Sequence, residues 1–246
     1  MKTHENLQWI LSEIGECRAR NERVLIVFDL DSTLFDVTPR IRHILQLFRE
    51  DPEAQRRHSD HLHFVEKMDW QPMDWFIDGP LERAGAAKDA IPELRADLHK
   101  FWEKHFFANH HLHLDEPYEG AQAFVREVAN LGSEVVYLTG RDVPRMWEGS
   151  VQSLVQRGFP LVSAEKNLVL KPDSKLEDAE FKSNWLGEVK TKYNRVFLFE
   201  NEPFNIVKVE EDHPDVEIVF FVSTHSGRSE PRGQWRAITH FNYSRS

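Results

Sequence analysis

A single cysteine, Cys17, leaves no partner for a disulfide within the chain and no thiolate metal cluster, which fits a reducing compartment. No apolar run is long enough to span a bilayer. The opening stretch MKTHENLQWILSEIGECRARNERV has no basic start followed by an apolar segment. It reads as an amphipathic helix and not as a signal peptide or a membrane span, and the expected location is cytoplasmic. Positive charge is also scarce. The 31 Lys and Arg against 41 Asp and Glu give a net charge of −10, which disfavours a nucleic-acid partner because such binding rests on cations neutralising phosphates. A small anionic substrate stays open, since a metal ion and a few local cations outweigh a distant field. Glycine and proline, 11 and 12, are too few for a low-complexity chain, and no internal repeat is present. What remains is 246 residues, 40% hydrophobic and 29% charged, enough for one large domain or a domain with a sizeable insert.

The unbroken apolar run 24–28 (VLIVF) reads as a strand covered on both faces. Residues 115–142 read as a helix ending near Gly132 and then a strand over 134–138 (EVVYL). DVPRMWEGSVQSLVQRG follows as a helix stopped by Gly158. A short strand at 168–170, a helix in DAEFKSNWLGEVKTKY, and strands at 195–199 and 216–222 complete the series. Strands alternating with helices predict an α/β fold: a Rossmann-like, mainly parallel sheet with helices on both faces. Residues 36–114 break the rhythm with helical patterns alone, Thr38 serving as a helix cap and Pro39 lying in the first turn. The expected organisation is a core of residues 1–35 and 115–246 with a helical insert over 36–114. The tail after 223 is mixed and polar and gives no clear element.

Three apolar runs end in polar groups: 24–28 in Asp29, 134–138 in Thr139 and 195–199 in Glu200. In an open α/β sheet, ligands bind at the carboxyl ends of the strands, so the three groups are aimed at one edge. Read bare, Asp29 and Asp31 are turn or cap residues. Two carboxylates about 4 Å apart repel by roughly 4 kcal/mol at an effective dielectric of 20, and a divalent cation relieves this. Mg²⁺ suits the pair, since it takes oxygen ligands and keeps several waters. With it, Asp29 gains a role as a nucleophile that forms an aspartyl-phosphate, and Asp31 as general acid and then base.

DLDSTL (29–34) resembles motif I, DxDx[TV], of the phosphohydrolase branch of the haloacid dehalogenase superfamily, and VVYLTGR (135–141) resembles motif II. The resemblance covers most of the chain, with 36–114 where a helical cap inserted after motif I belongs. It implies a Mg²⁺-dependent phosphatase acting on a small phosphorylated substrate. Asp29 would be the nucleophile and Asp31 the acid/base, with its backbone carbonyl on the metal. Thr139 would donate to the transferring phosphoryl group, with Gly140 beside it on the substrate. Arg141, two residues after Thr139, reads either as a group steadying a substrate anion or as an ordinary loop arginine. The second aspartate argues for phosphate chemistry, because a dehalogenase lacks it. A phosphate-binding lysine is expected upstream of the last metal-binding strand: Lys182, in DAEFKSNWL, is favoured over Lys171, in LVLKPD. Motif IV departs from the family pattern, since FLFENEPFNI offers Glu200 as the first metal acid and Asn201, Glu202 or Asn205 as the second position. A phosphatase acting on nucleic-acid ends and a non-catalytic protein of the same fold that binds or regulates remain as alternatives.

The histidine groups His58/His61/His63 and His110/His111/His113 come without Cys or an H-E-x-x-H pattern, and read as solvated or structural rather than as a zinc site. Trp70, Trp75 and Phe76 read first as packing within the insert and second as the lining of a pocket. STHSGR (223–228) is weakly aimed at the same edge as Asp29. Neither the physiological substrate nor the oligomeric state is legible.

Overall fold

Five consecutive apolar residues need cover on both sides, and Val24–Phe28 (β1) obtains it as an interior strand. The computed structural model describes residues 2–71 and 73–243; Met1, Pro72 and 244–246 lie outside the described residues. In chain order the other strands are Phe35–Asp36 (β2), Glu116–Pro117 (β3), Glu134–Asp142 (β4), Leu168–Lys171 (β5), Arg195–Glu200 (β6), Glu217–Phe221 (β7) and Arg236–Ile238 (β8). Six of them form one parallel sheet in the order β5-β4-β1-β6-β7-β8. Successive side chains of a strand point to opposite faces, and the two cores sort accordingly. Ile26, Phe28, Tyr137, Phe197 and Phe199 pack with the helices Thr3–Ala19, Ala121–Asn130 and Val143–Gln156. Leu25, Val27, Val136, Leu138 and Leu198 pack on the other face with Asp178–Val189 and Pro203–Asp212.

The structure revises several expectations. The strand expected over 134–138 continues to Asp142, because β5 pairs with it that far after a register shift between Thr139 and Asp142. The strand expected over 216–222 is shorter, Glu217–Phe221. The polar tail contributes β8, a three-residue edge strand too short to show a period. The N-terminal helix secures that edge, with Asn6 Nδ2 donating to the Ala237 carbonyl at 2.8 Å. Thr38 does not cap the helix Thr38–Glu50: Asp36 Oδ1 accepts from the Thr38 N–H at 2.9 Å, and Thr38 becomes the first helical residue with Pro39 behind it. No helix among the described residues is long and apolar enough to cross a membrane.

Residues 36–114 form short helices around a hydrophobic cluster of their own, including Ile41, Ile44, Phe48, Trp70, Leu81 and Leu98. Both ends of this segment meet in an antiparallel neck, with Phe35 opposite Pro117 and Asp36 opposite Glu116. Beside the neck a 3₁₀ turn, Asn109–Leu114, buries His111 and sends Leu112 into the main core. Burial and then the neighbouring imidazoles push His111 down to about 4. Its folded value lies below its unfolded value, so the unfolded chain binds more protons between about pH 6.5 and 4. The stability tied to His111 is therefore full above pH 6.5 and is lost as pH falls through 4. In chelated buffer, the difference in urea midpoint between the wild type and His111→Gln should shrink over that window; a pH-independent difference refutes the assignment.

Candidate active site

The sheet's carboxyl edge carries the site. At the end of β1, Asp29 is fixed by its own N–H, which donates to the Phe199 carbonyl of β6 at 2.9 Å. The chain then doubles back within six residues: the N–H groups of Thr33, Leu34 and Phe35 all reach the Leu30 carbonyl. Ser32 takes a left-handed φ of +62° to permit this, an unfavourable conformation for a non-glycine residue. Ser223 Oγ secures the turn by donating to the Ser32 carbonyl at 2.5 Å.

Lys182 and not Lys171 reaches the acids. Its buried ammonium lies 2.6 Å from Asp29 Oδ1 and 2.5 Å from Glu200 Oε2. Lys171 is instead paired with Asp178 at 2.6 Å, in the first turn of the same helix. Asp178 and Lys182 are one turn apart and share a helix face. The Lys171–Asp178 pair thus anchors the helix start, and the helix delivers Lys182. Asp178 also explains Gly140, where a Cβ would meet its Oδ2 at 2.2 Å.

Thr139 is buried at the end of the apolar part of β4, and its Oγ1 accepts from the Arg141 N–H at 3.3 Å. Glu200 Oε1 takes the N–H groups of Asn201 and Glu202 at 3.1 and 3.0 Å. Of the three candidates for a second metal position, two have other partners. Asn201 bridges Thr33 Oγ1 and the Thr224 carbonyl, and Glu202 caps the helix Pro203–Asp212 while holding Ser226. Asn205, also buried, faces the cavity, and its side chain makes no hydrogen bond among the described residues.

Arg141 does not open toward a substrate anion. Its guanidinium binds both Asp31 oxygens at 3.1 and 2.6 Å, Asp115 Oδ2 at 2.8 Å and Ser150 Oγ at 3.1 Å. Arg40, fully buried in the first helix of the insert, donates to Asp31 Oδ1 at 2.7 Å and to the Phe106 carbonyl at 3.0 Å. Its Nε lies 3.0 Å from Asp115 Oδ1 but is not aligned for a hydrogen bond, so that contact is ionic. Two acids and two arginines thus form a lattice joining the insert to the sheet, buried at Arg40, Arg141 and Asp115 and partly open to the cavity at Asp31.

The charges behave accordingly. Burial pushes Asp29 up to about 7, and the Glu200 carboxylate adds to the rise against the pull of Lys182. Burial also raises Asp31, but Arg141 and Arg40 together outweigh it and hold that carboxyl well below the usual carboxylate range. Asp115, deeper still, is pushed by burial up to about 6 despite both arginines.

The donor set suits a hard cation. Two buried carboxylates, Asp29 and Glu200, share one ammonium and keep lone pairs beyond it, and Asn205 adds an amide oxygen at the same edge. The Asp31 carboxylate is held by its arginines and does not fit as a ligand. Above the acids a cavity of about 880 Å³ opens between the insert and the strand ends. Trp75, Phe76, Trp102 and Phe106 form its apolar side, whereas Trp70 is buried within the insert. Of the segment 223–228, Thr224, Ser226 and Arg228 line the cavity and His225 does not.

Arg40, Asp115 and Asp178 are absent from the sequence reading. Arg40 had a visible signal. Val37, Ile41, Ile44, Leu45 and Phe48 form an apolar helical stripe, and Arg40 occupies a position within it. Asp115 had none, being one of several acids near a predicted boundary.

No protein-family model matches the sequence, and no curated protein matches it. Solved structures do. A protein from Burkholderia xenovorans assigned as a haloacid dehalogenase-like hydrolase aligns with a TM-score of 0.53 and 15% identity, over 89% of this chain and 94% of that one. A haloacid dehalogenase-like family hydrolase from Streptococcus pneumoniae aligns with a TM-score of 0.50 and 11% identity, over 81% and 85%. At such identities the likeness concerns architecture, and it agrees with the mostly parallel sheet and the helices on both its faces: the chain has the haloacid dehalogenase-like fold.

Proposed function

We propose that the chain is a hydrolase of phosphomonoesters, with Asp29 as the nucleophile. One observation carries the reading: a buried carboxylate at a strand end has one oxygen held by Lys182 and the other unengaged toward a cavity. A held carboxylate is oriented for attack, and its unengaged oxygen is the one that meets phosphorus. Lys182 offsets the repulsion between that carboxylate and a phosphate dianion. Mg²⁺, held by Asp29, Glu200 and Asn205, would supply the positive charge that one ammonium leaves lacking. Thr139 and Gly140 lie beside Asp29, where they bind the phosphoryl oxygens. The insert acts as a cap over the cavity, excluding water and presenting its aromatic side to the alcohol part of the ester.

Asp31 serves as acid and base under restraint. Clamped, it is an ionised and weakly basic carboxylate, and it takes a proton from water only as a cation withdraws. To give a proton to the leaving oxygen it must lose a cation, and Arg40 is the contact that moves with the cap. The same clamp favours a second reading, a protein that binds phosphate esters without turnover. A nucleic-acid end is not favoured, since the seven cations of the cavity lining are interspersed with eight acids.

Hydrolysis of p-nitrophenyl phosphate separates the first two. Expected is release of p-nitrophenol that depends on Mg²⁺ and is removed by EDTA. A folded wild type that binds phosphate yet turns over no ester in a broad panel, with or without Mg²⁺, establishes the second reading.

A further inference from the structure

The helical insert carries a group of imidazoles that the phosphatase reading does not use. His105, near the end of the helix Pro92–Phe106, and His110 and His111, in the 3₁₀ turn that follows, have donor nitrogens all within 4.8 Å of one another. His105 Nδ1 and His111 Nε2 face each other at 3.1 Å. The rings of His110 and His111 lie 3.8 Å apart between centroids, and His43, on the first helix of the insert, lies 5.3 Å from His111. Zinc–nitrogen bonds of about 2.0–2.1 Å place tetrahedral donor nitrogens roughly 3.3 Å apart, a spacing these side chains reach by small rotations. A ring-to-ring contact in the metal-free chain needs a proton on one of the two nitrogens, and a metal ion replaces that proton.

We infer that His105, His110 and His111 form a binding site for a borderline transition-metal ion of the Zn²⁺ type, at the neck between the insert and the sheet. Three neutral imidazoles select such ions over Mg²⁺ and Ca²⁺, which take oxygen donors, so this site is chemically distinct from the acids around Asp29. His111 is buried and His110 exposed, which gives the ion a protein-facing side and a solvent-facing side where water completes the coordination. Sequence reading missed the site because His105 lies on a helix, outside the HHLH cluster. Its place explains what binding would do. One ligand belongs to the last long helix of the insert and two to the turn that leads back to β3, so the ion ties the insert to its own return path.

The test is titration of the purified full chain, stripped with chelator, with Zn²⁺ at pH 7.5, followed by calorimetry and thermal unfolding. One equivalent should bind, and Tm should rise by roughly 5 °C at a hundredfold excess over Kd. His110→Ala, an exposed position, and His105→Gln should each weaken binding by at least about tenfold. Asp29→Asn should bind Zn²⁺ at this site as the wild type does. With Co²⁺ as probe, the tetrahedral visible bands should disappear in the same two variants. Absence of a Tm rise in the wild type, retention of full Zn²⁺ affinity in either variant, or loss of it in Asp29→Asn overturns the assignment.

Discussion

Asp29→Asn is expected to lose at least about a thousandfold in turnover of p-nitrophenyl phosphate and, in chelated buffer, to be more stable than the wild type at pH 8. Both effects come from the same carboxylate. An amide at position 29 still accepts from Lys182 through its oxygen but has no anionic oxygen with which to attack. The stability gain follows from linkage. Burial and Glu200 push Asp29 up to about 7 in the folded chain, well above an ordinary aspartate. Between about pH 4 and 7 the unfolded chain has released this proton and the folded chain has not, so stability falls as pH rises through that window and the full penalty is present above it. The penalty at pH 8 is of order 4 kcal/mol. Asparagine carries no charge and escapes it, while Lys182 keeps Glu200.

Urea unfolding of both proteins at pH 5 and pH 8 measures the difference. It should be wide at pH 8 and narrow toward pH 5. An active Asp29→Asn removes the nucleophile from the mechanism. An inactive variant with no pH-dependent gain leaves the chemistry standing but refutes the electrostatic account of the site.

Much of this arrangement was readable before folding because it rests on local pattern. An unbroken apolar run ending in Asp29, and two others ending near Thr139 and Glu200, are statements about strand ends, and the parallel sheet places strand ends along one edge. Lys182 was separable from Lys171 only by a preference, and the structure shows why both lysines occur: one sets the helix start and the other is its product. The partners of Asp31 were not readable. Arg40 is nine residues away in a different hydrophobic unit, Arg141 is 110 away and Asp115 lies just before the return strand, and only the closed neck brings them together. Thr38 shows the same limit at short range. Two residues both able to cap stand two apart, and the turn geometry at Asp36 decided between them.

The lattice itself yields the second large effect. Arg141→Met keeps length and apolar bulk but removes the contacts to both Asp31 oxygens, to Asp115 and to Ser150. Asp115, fully buried, would then keep only the misaligned Arg40, whose charge is shared with Asp31. Breaking one member of a buried ionic group typically costs about 3–5 kcal/mol, because the survivor keeps its desolvation cost without its partner. For a chain of this size that corresponds to a fall in Tm of roughly 10 °C. Adding Asp115→Asn removes the stranded charge, so the double variant should be less destabilised than the sum of the two single variants by more than about 0.5 kcal/mol. Additive losses would mean that Arg141 acts through packing alone. Asp31 supplies an independent readout: with Arg40 as its remaining cation its carboxyl rises toward the ordinary range, and its titration, followed by infrared difference spectroscopy against an Asp31→Asn control, should move to higher pH. An unmoved titration in a folded Arg141→Met protein would show that Arg141 does not set the charge of Asp31.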